Sequence, residues 1–234
     1  MKTFSLPALA ALACLMLAAS PGYAQTVCFP CSTYSIGGVG GEPIVPGTTD
    51  IGNHCDDCTT TVALPLSVRI YGLGPFTSVN VSSNGTAQFV SNISPSANTC
   101  LPSASHDTTI FAHWDNLMTD AQPGCAAYPG GTCGIFTSLS GVAPNRIFNI
   151  EWRTVYAATP TAIANFEVRL IENDDDFTVV NGTLAGGGTS ATVGSQCNTG
   201  SVFHPLSCNS AAPSNLAWHF FCPFPVELTG ISVE

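Results

Sequence analysis

Cysteines are the residues of this 234-residue chain whose number and spacing most directly suggest chemistry. Ten follow the N-terminal leader: Cys28, Cys31, Cys55, Cys58, Cys100, Cys125, Cys133, Cys197, Cys208 and Cys222. An even count in an exported chain reads as a disulfide framework of up to five bridges. Cys125 with Cys133 and Cys197 with Cys208 are plausible local bridges, because each pair closes a short loop rich in turn residues. Cys28-Phe-Pro-Cys31 and Cys55-Asp-Asp-Cys58 could instead supply the four thiolates of a zinc site, although oxidation outside the cell competes with ligation. A redox-active pair fits less well. Cys58 runs into Thr59-Thr60-Thr61-Val62, which reads as strand rather than helix, and Asp56 and Asp57 would raise a thiol pKa.

The carboxylates offer two readings. Glu151-x-Arg153 and Glu167-x-Arg169 fall on the outward positions of two alternating segments. They suit a cross-strand ion-pair ladder, or the acid and base of a carbohydrate hydrolase if the carboxyl groups converge. Asp174-Asp175-Asp176 reads as a solvated turn between strands, with Asp174 and Asp176 as calcium candidates, and Asp115 with Asp120 is a second such pair. No other cofactor is suggested. Five histidines are present (His54, His106, His113, His204 and His219), and none falls in a helical two-His zinc motif. His106-Asp107 and His113-x-Asp115 could pair a base with its orienting acid, but no G-x-S-x-G elbow supplies a nucleophile. Asn80, Asn84, Asn92 and Asn181 each begin an N-x-S/T sequon.

Composition narrows the partners. Charged residues are 9% and apolar residues 45%, with a net charge of −10. That apolar content excludes an acidic disordered tail, and the charge excludes nucleic acid and anionic membrane surfaces as partners. Met1-Lys2, the apolar stretch Leu6–Ala19 and Gly22-Tyr23-Ala24 read as a secretory signal over 1–24 that ends after Ala24. The rival reading makes Ala11-Leu12-Ala13-Cys14 a lipoprotein site. No later run is long enough to span a membrane. Removing the leader removes Lys2, the one lysine, and leaves four arginines against fifteen acids.

The elements that must position these groups are strands. Residues 25–61 are turn-rich and read as an N-terminal extension pinned by cysteines. From Val62 onward apolar residues recur every second position. Leu64, Leu66, Val68 and Ile70 form one stripe, and Ile110, Ala112 and Trp114 another. Phe148, Ile150 and Trp152 follow, then Phe166, Val168 and Leu170, and later Leu216, Trp218 and Phe220. Asn84-Gly85 and Asn181-Gly182 are hairpin signals, which in a two-residue turn need positive φ at both positions. The sum is roughly ten strands without a helix, an all-β antiparallel β-sandwich stabilised by disulfides over 62–222.

Five segments resemble nidogen-like modules of secreted bacterial proteins: Phe76 to Gly85, Ile110 to Leu117, Ala143 to Trp152, Asn165 to Glu172 and Ala191 to Gly194. They occur in the family's order. The resemblance implies a β-sandwich at the cell surface or in secreted proteins, without catalysis, in adhesion or matrix contexts. The chain departs from it at His113 and Asn116, where the related pattern has Pro-Phe and a second Asp. Pro225 to Gly230, within a C-terminal linker over 223–234, resembles the junction before a sorting tail. The expected function is therefore a secreted or surface-displayed binding module whose partner is an extracellular protein, a glycan or its own copies. A secreted carbohydrate hydrolase and a subunit of a surface filament are the alternatives.

Overall fold

The structure, a computed structural model, describes residues 28–222. The expected leader over 1–24, its expected cleavage position and the expected C-terminal linker lie outside the described residues. Fourteen strands run in chain order: β1 Ser35–Gly40, β2 Thr49–Asp50, β3 Thr59–Ile70, β4 Leu73–Ser82, β5 Thr86–Gln88, β6 Thr109–Trp114, β7 Leu117–Met118, β8 Gly134–Ser140, β9 Ile147–Tyr156, β10 Thr159–Ile171, β11 Phe177–Leu184, β12 Thr192–Cys197, β13 Val202–Cys208 and β14 Leu216–Phe221. One sheet has the order β1-β14-β11-β10-β9-β8-β2, with β7 also pairing β9. The other has the order β13-β12-β6-β5-β4-β3. All pairings are antiparallel, and three short 3-10 turns are the only helical elements among the described residues.

Two-residue alternation places the core between the sheets. Phe148 lies opposite Leu170, Leu170 opposite Phe177, and Phe177 opposite Phe220. These four are buried, and the Phe177 and Phe220 rings stack at 4.4 Å. In a parallel row Trp152 lies opposite Phe166, stacked at 5.2 Å. The Trp152 indole N–H crosses to the other sheet and donates to the Ser82 carbonyl at 2.8 Å. Each such side chain contributes about 1.5–3 kcal/mol by leaving water.

Two turn signals resolve differently. The β4–β5 hairpin forms at Asn84-Gly85, but only Gly85 has positive φ, at 78°. Gly85 N–H donates to the Ser82 carbonyl at 3.1 Å, so the loop is the three-residue kind with glycine at its left-handed end. The Gly85 carbonyl then accepts from both Ala112 and His113 N–H at 3.1 Å. A Cβ at Gly85 would sit 2.2 Å from the His113 carbonyl oxygen. Gly85→Ala is therefore expected to cost about 4 kcal/mol, read as a lowered midpoint in chemical denaturation. Asn181-Gly182 makes no hairpin, because β11 runs straight through it. Gly182 instead lets β11 pass close to Asn165, whose side-chain oxygen lies 2.8 Å from the position a Cβ would take.

The double acceptance by Gly85 marks a bulge in β6. The β12 register steps from Thr192 opposite Trp114 to Gly194 opposite Phe111. The extra residue reverses the side-chain alternation. Trp114 thus leaves the expected Ile110–Ala112 stripe and clusters with Phe111 and Leu101 outside the main core. His113 turns inward against Phe166.

The cysteines form five bridges: Cys28–Cys222, Cys31–Cys197, Cys55–Cys58, Cys100–Cys208 and Cys125–Cys133. Cys197 and Cys208 do not pair with each other. They lie at opposite ends of the β12–β13 ladder, where Cys197 faces Val202 and Cys208 faces Thr192. Nor do the two C-x-x-C pairs assemble into a four-thiolate cluster, since Cys28 and Cys31 each bridge to a distant strand end.

Candidate functional site

Residues 41–48 carry no strand periodicity, yet they link β1 at one edge of the larger sheet to β2 at the other. They cross the outer face as a strap. Beneath it lie Glu151, Arg153, Glu167 and Arg169, the outward-pointing residues of β9 and β10. Glu167 sits directly opposite Glu151 in the register, so the expected Glu-to-Arg ladder across the two strands does not form. The ion pairs run along each strand instead, Arg153 to Glu151 at 2.7 Å and Arg169 to Glu167. Nor is this face solvated: Glu167 is fully buried, and Glu151 and Arg153 are each 5% exposed.

The strap's backbone completes the network. Val45 N–H donates to Glu167 Oε2 at 2.7 Å, and Gly47 N–H to Glu151 Oε2 at 2.8 Å. Asn165 Nδ2 donates to the other Glu151 oxygen at 3.0 Å. Arg153 donates to the Gly47 carbonyl at 2.9 Å, and Arg169 to the Pro43 carbonyl at 2.6 Å. Glu42 accepts from Arg169 and lies 3.1 Å from His219. A cleft of about 240 Å³ beside the strap touches Glu151 and Arg153 but not Glu167. The two carboxylates therefore share no opening.

The acidic run is likewise internal rather than a solvated turn. Asp175 is fully buried and accepts from Cys28 N–H at 2.8 Å and Gly72 N–H at 2.6 Å. Asp176 accepts from Cys222 N–H at 3.0 Å, and Asp174 accepts from Asp176 N–H at 3.1 Å. The run thus holds both partners of the Cys28–Cys222 bridge. Asp175, Cys28 and Cys222 are the one grouping of three metal-ligand types among the described residues, and its two sulfurs are joined to each other. Asp115 and Asp120 have separate partners: Asp115 accepts from Ser190 and the Asn116 N–H, and Asp120 from Gln122.

Burial moves several of these groups in opposing directions. It pushes Glu167 up to about 7 against the pull of Arg169, and Asp176 up to about 6. It pushes His106 down to about 4 and His113 down to about 3. The two acids contribute stability at low pH that is lost as pH rises through their folded values. The two histidines contribute stability above about 6.5 that is lost as pH falls toward their folded values. The opposed slopes predict a nearly flat stability profile between pH 8 and 5. Glu167→Gln removes one acidic side of that balance. The variant should lose about 2 kcal/mol relative to wild type on going from pH 7.5 to 5, measured by urea denaturation at both values.

A second concave region opens where the β9–β10 turn meets the glycine turn after β11. This recess of about 260 Å³ is lined by Tyr156, Thr159, Thr189 and Ser190 together with Ala158 and Gly186, among others. His113 and Asp115, which could be paired from sequence as base and orienting acid, each back a different wall residue. His113 Nε2 lies 2.9 Å from the Tyr156 hydroxyl, and Ser190 donates to Asp115 Oδ2 at 2.5 Å. Burial pushes the Tyr156 phenol well above its ordinary value, and Asp115 adds to the effect. The recess was not legible beforehand, because its walls come from turns without periodicity and the bulge at β6 sets the direction of His113.

The sequence family described as NIDO related matches residues 39–219. The chain belongs to this nidogen-related family. The match begins within β1, so the strap and β2 are inside the nidogen-related module, upstream of the first segment that carried the resemblance. No curated protein and no solved structure matches the chain. The nidogen-related match and the five disulfides are consistent with an extracellular location. No helix among the described residues is long and apolar enough to cross a membrane. Of the sequons in the module, Asn84 and Asn181 are fully buried and committed to internal hydrogen bonds, whereas Asn92 is exposed.

Proposed function

We propose that this nidogen-related module is exported by its leader and acts as a non-catalytic recognition domain at the cell surface or in the extracellular matrix. The observation that carries the reading is the seating of the strap. Glu151 and Glu167 are the carboxylates best placed by sequence for glycoside chemistry, and they are covered by the chain's own backbone and bound to its N–H groups. A glycosidase needs both carboxylates open to one substrate, with room for a water or for a glycosyl intermediate. The strap occupies that space. The acidic surface favours partners that are neutral or cationic.

The test places the full chain on immobilised polysaccharides and on matrix proteins, with retention and reducing-sugar release followed together. Saturable retention without release is the expected result. Release that Glu151→Gln abolishes would overturn the proposal in favour of the hydrolase.

A further inference from the structure

We infer that the recess beside Tyr156 and Ser190 binds one ring of a neutral glycan; the inference rests on the reading of the module as a recognition domain and supplies its ligand class and location. At about 260 Å³ the recess is slightly smaller than pockets for drug-sized ligands, a size suited to a single monosaccharide unit. Its wall side chains are uncharged. Four hydroxyl-bearing residues, Tyr156, Thr159, Thr189 and Ser190, line it together with Ala158, Ala162 and Ala185. A sugar ring presents the matching surface, with hydroxyls at its edge and C–H groups on its face.

Groups behind the wall fix what two of the hydroxyls can do. The Ser190 proton is committed to Asp115, so toward any ligand the Ser190 oxygen acts as an acceptor. His113 is buried, and its Nδ1 has no hydrogen-bond partner. The Nδ1–H tautomer would leave a buried donor unpaired, whereas the Nε2–H tautomer leaves only an acceptor unpaired, the less costly arrangement. Nε2–H therefore donates to the Tyr156 oxygen, and the phenol proton remains free to donate. One oriented donor and one oriented acceptor suit neighbouring sugar hydroxyls, which offer both roles.

Charge disfavours ionic ligands. Asp115 is buried behind Ser190 and does not line the recess, so the wall offers a cation no carboxylate. The same carboxylate and the net charge of −10 oppose an anion. Gly186 and Gly187, at φ of 66° and 69° with open space at their Cβ positions, let a ring approach the backbone closely.

The experiment applies the full chain to a printed array of neutral hexose and N-acetylhexosamine oligosaccharides, with spots of matrix protein alongside. Binding to neutral sugars is expected, with affinity reduced at least tenfold by Tyr156→Phe and by Gly186→Asn. Asparagine tolerates the left-handed backbone at 186 and would occupy the mouth of the recess. Tyr156→Phe strands the His113 Nε2–H and lowers the melting temperature, so binding is read well below the transition. Gly186→Asn with an unchanged melting temperature separates lost binding from lost folding. Sugar binding that survives both substitutions within twofold overturns this site. Binding confined to the protein spots overturns the glycan assignment but leaves the recognition reading intact. Release of sugar from the array overturns both.

Discussion

Deleting Val45 and Pro46 from the strap is expected to lower the melting temperature by about 15 °C or to abolish cooperative unfolding. The span decides this. β1 and β2 are separated by six inter-strand steps, about 29 Å at the ordinary spacing. The chain from Gly40 to Thr49 has nine Cα steps, which reach about 30–32 Å when extended. The strap has almost no slack. Two residues fewer shorten its reach to about 25 Å, so an edge strand must detach or the strap must lift. Lifting removes the N–H donors from Glu151 and Glu167 and the carbonyl acceptors from Arg153 and Arg169, and it admits water to the face the strap covers. Breaking a buried ionic network of this kind costs about 3–5 kcal/mol, and each kcal/mol lowers the melting temperature of a domain this size by roughly 2–4 °C. Inserting two glycines after Gly41 relieves the span without removing a contact. It should cost less than about 1 kcal/mol, because added loop length is entropically cheap. Scanning calorimetry of the two variants distinguishes a strap under geometric constraint from a passive linker.

The second large effect concerns the nested bridges. Cys28–Cys222 spans 194 residues and Cys31–Cys197 spans 166, one inside the other. Either bridge alone holds the chain ends near each other, so the other closes an effective loop of only the difference, 28 residues. Loop-closure entropy gives about 3–4 kcal/mol for a loop of that length and about 5 kcal/mol for the full one. Cys28→Ser with Cys222→Ser should therefore destabilise by about 3–4 kcal/mol. Removing both bridges should cost more than twice that, because the second loss opens a longer loop. With Cys100–Cys208 intact that loop runs 69 residues from Cys31 to Cys100 plus 11 from Cys197 to Cys208 and is worth about 4–5 kcal/mol. Chemical denaturation of the single-bridge and double-bridge variants checks the inequality. The Asp175 and Asp176 contacts to Cys28 and Cys222 N–H persist only while those ends stay docked, so they reinforce the cooperativity.

How much of this was legible in the sequence follows from the range of each interaction. The stripes Phe148-Ile150-Trp152 and Phe166-Val168-Leu170 are local two-residue patterns, and they form the central strands of the larger sheet as read. The Ile110-Ala112-Trp114 stripe failed at its last member, because the bulge against β12 depends on a strand about 80 residues away. Asn181-Gly182 carries a strong turn signal, but the glycine serves a close approach to Asn165 within a continuous strand. Short-loop reasoning paired Cys197 with Cys208. The ladder between β12 and β13 places them at opposite ends, a fact of register that spacing alone does not reveal. The strap was the least legible feature. Its Pro and Gly content reads as loop, and its function appears only once β1 and β2 lie at opposite edges of one sheet. For the same reason the Glu and Arg residues beneath it read as an exposed ladder, since alternation assigns a face to a residue without revealing what covers that face.

The most direct test of the account is amide hydrogen exchange at Val45 and Gly47, resolved by NMR on the full chain. If their N–H groups are held by Glu167 and Glu151 under a fixed strap, both should exchange only through global unfolding, as slowly as the central amides of β9 and β10. Exchange at the rate of an open loop would contradict the account. It would mean that the acidic pair is accessible and would return carbohydrate hydrolysis to consideration.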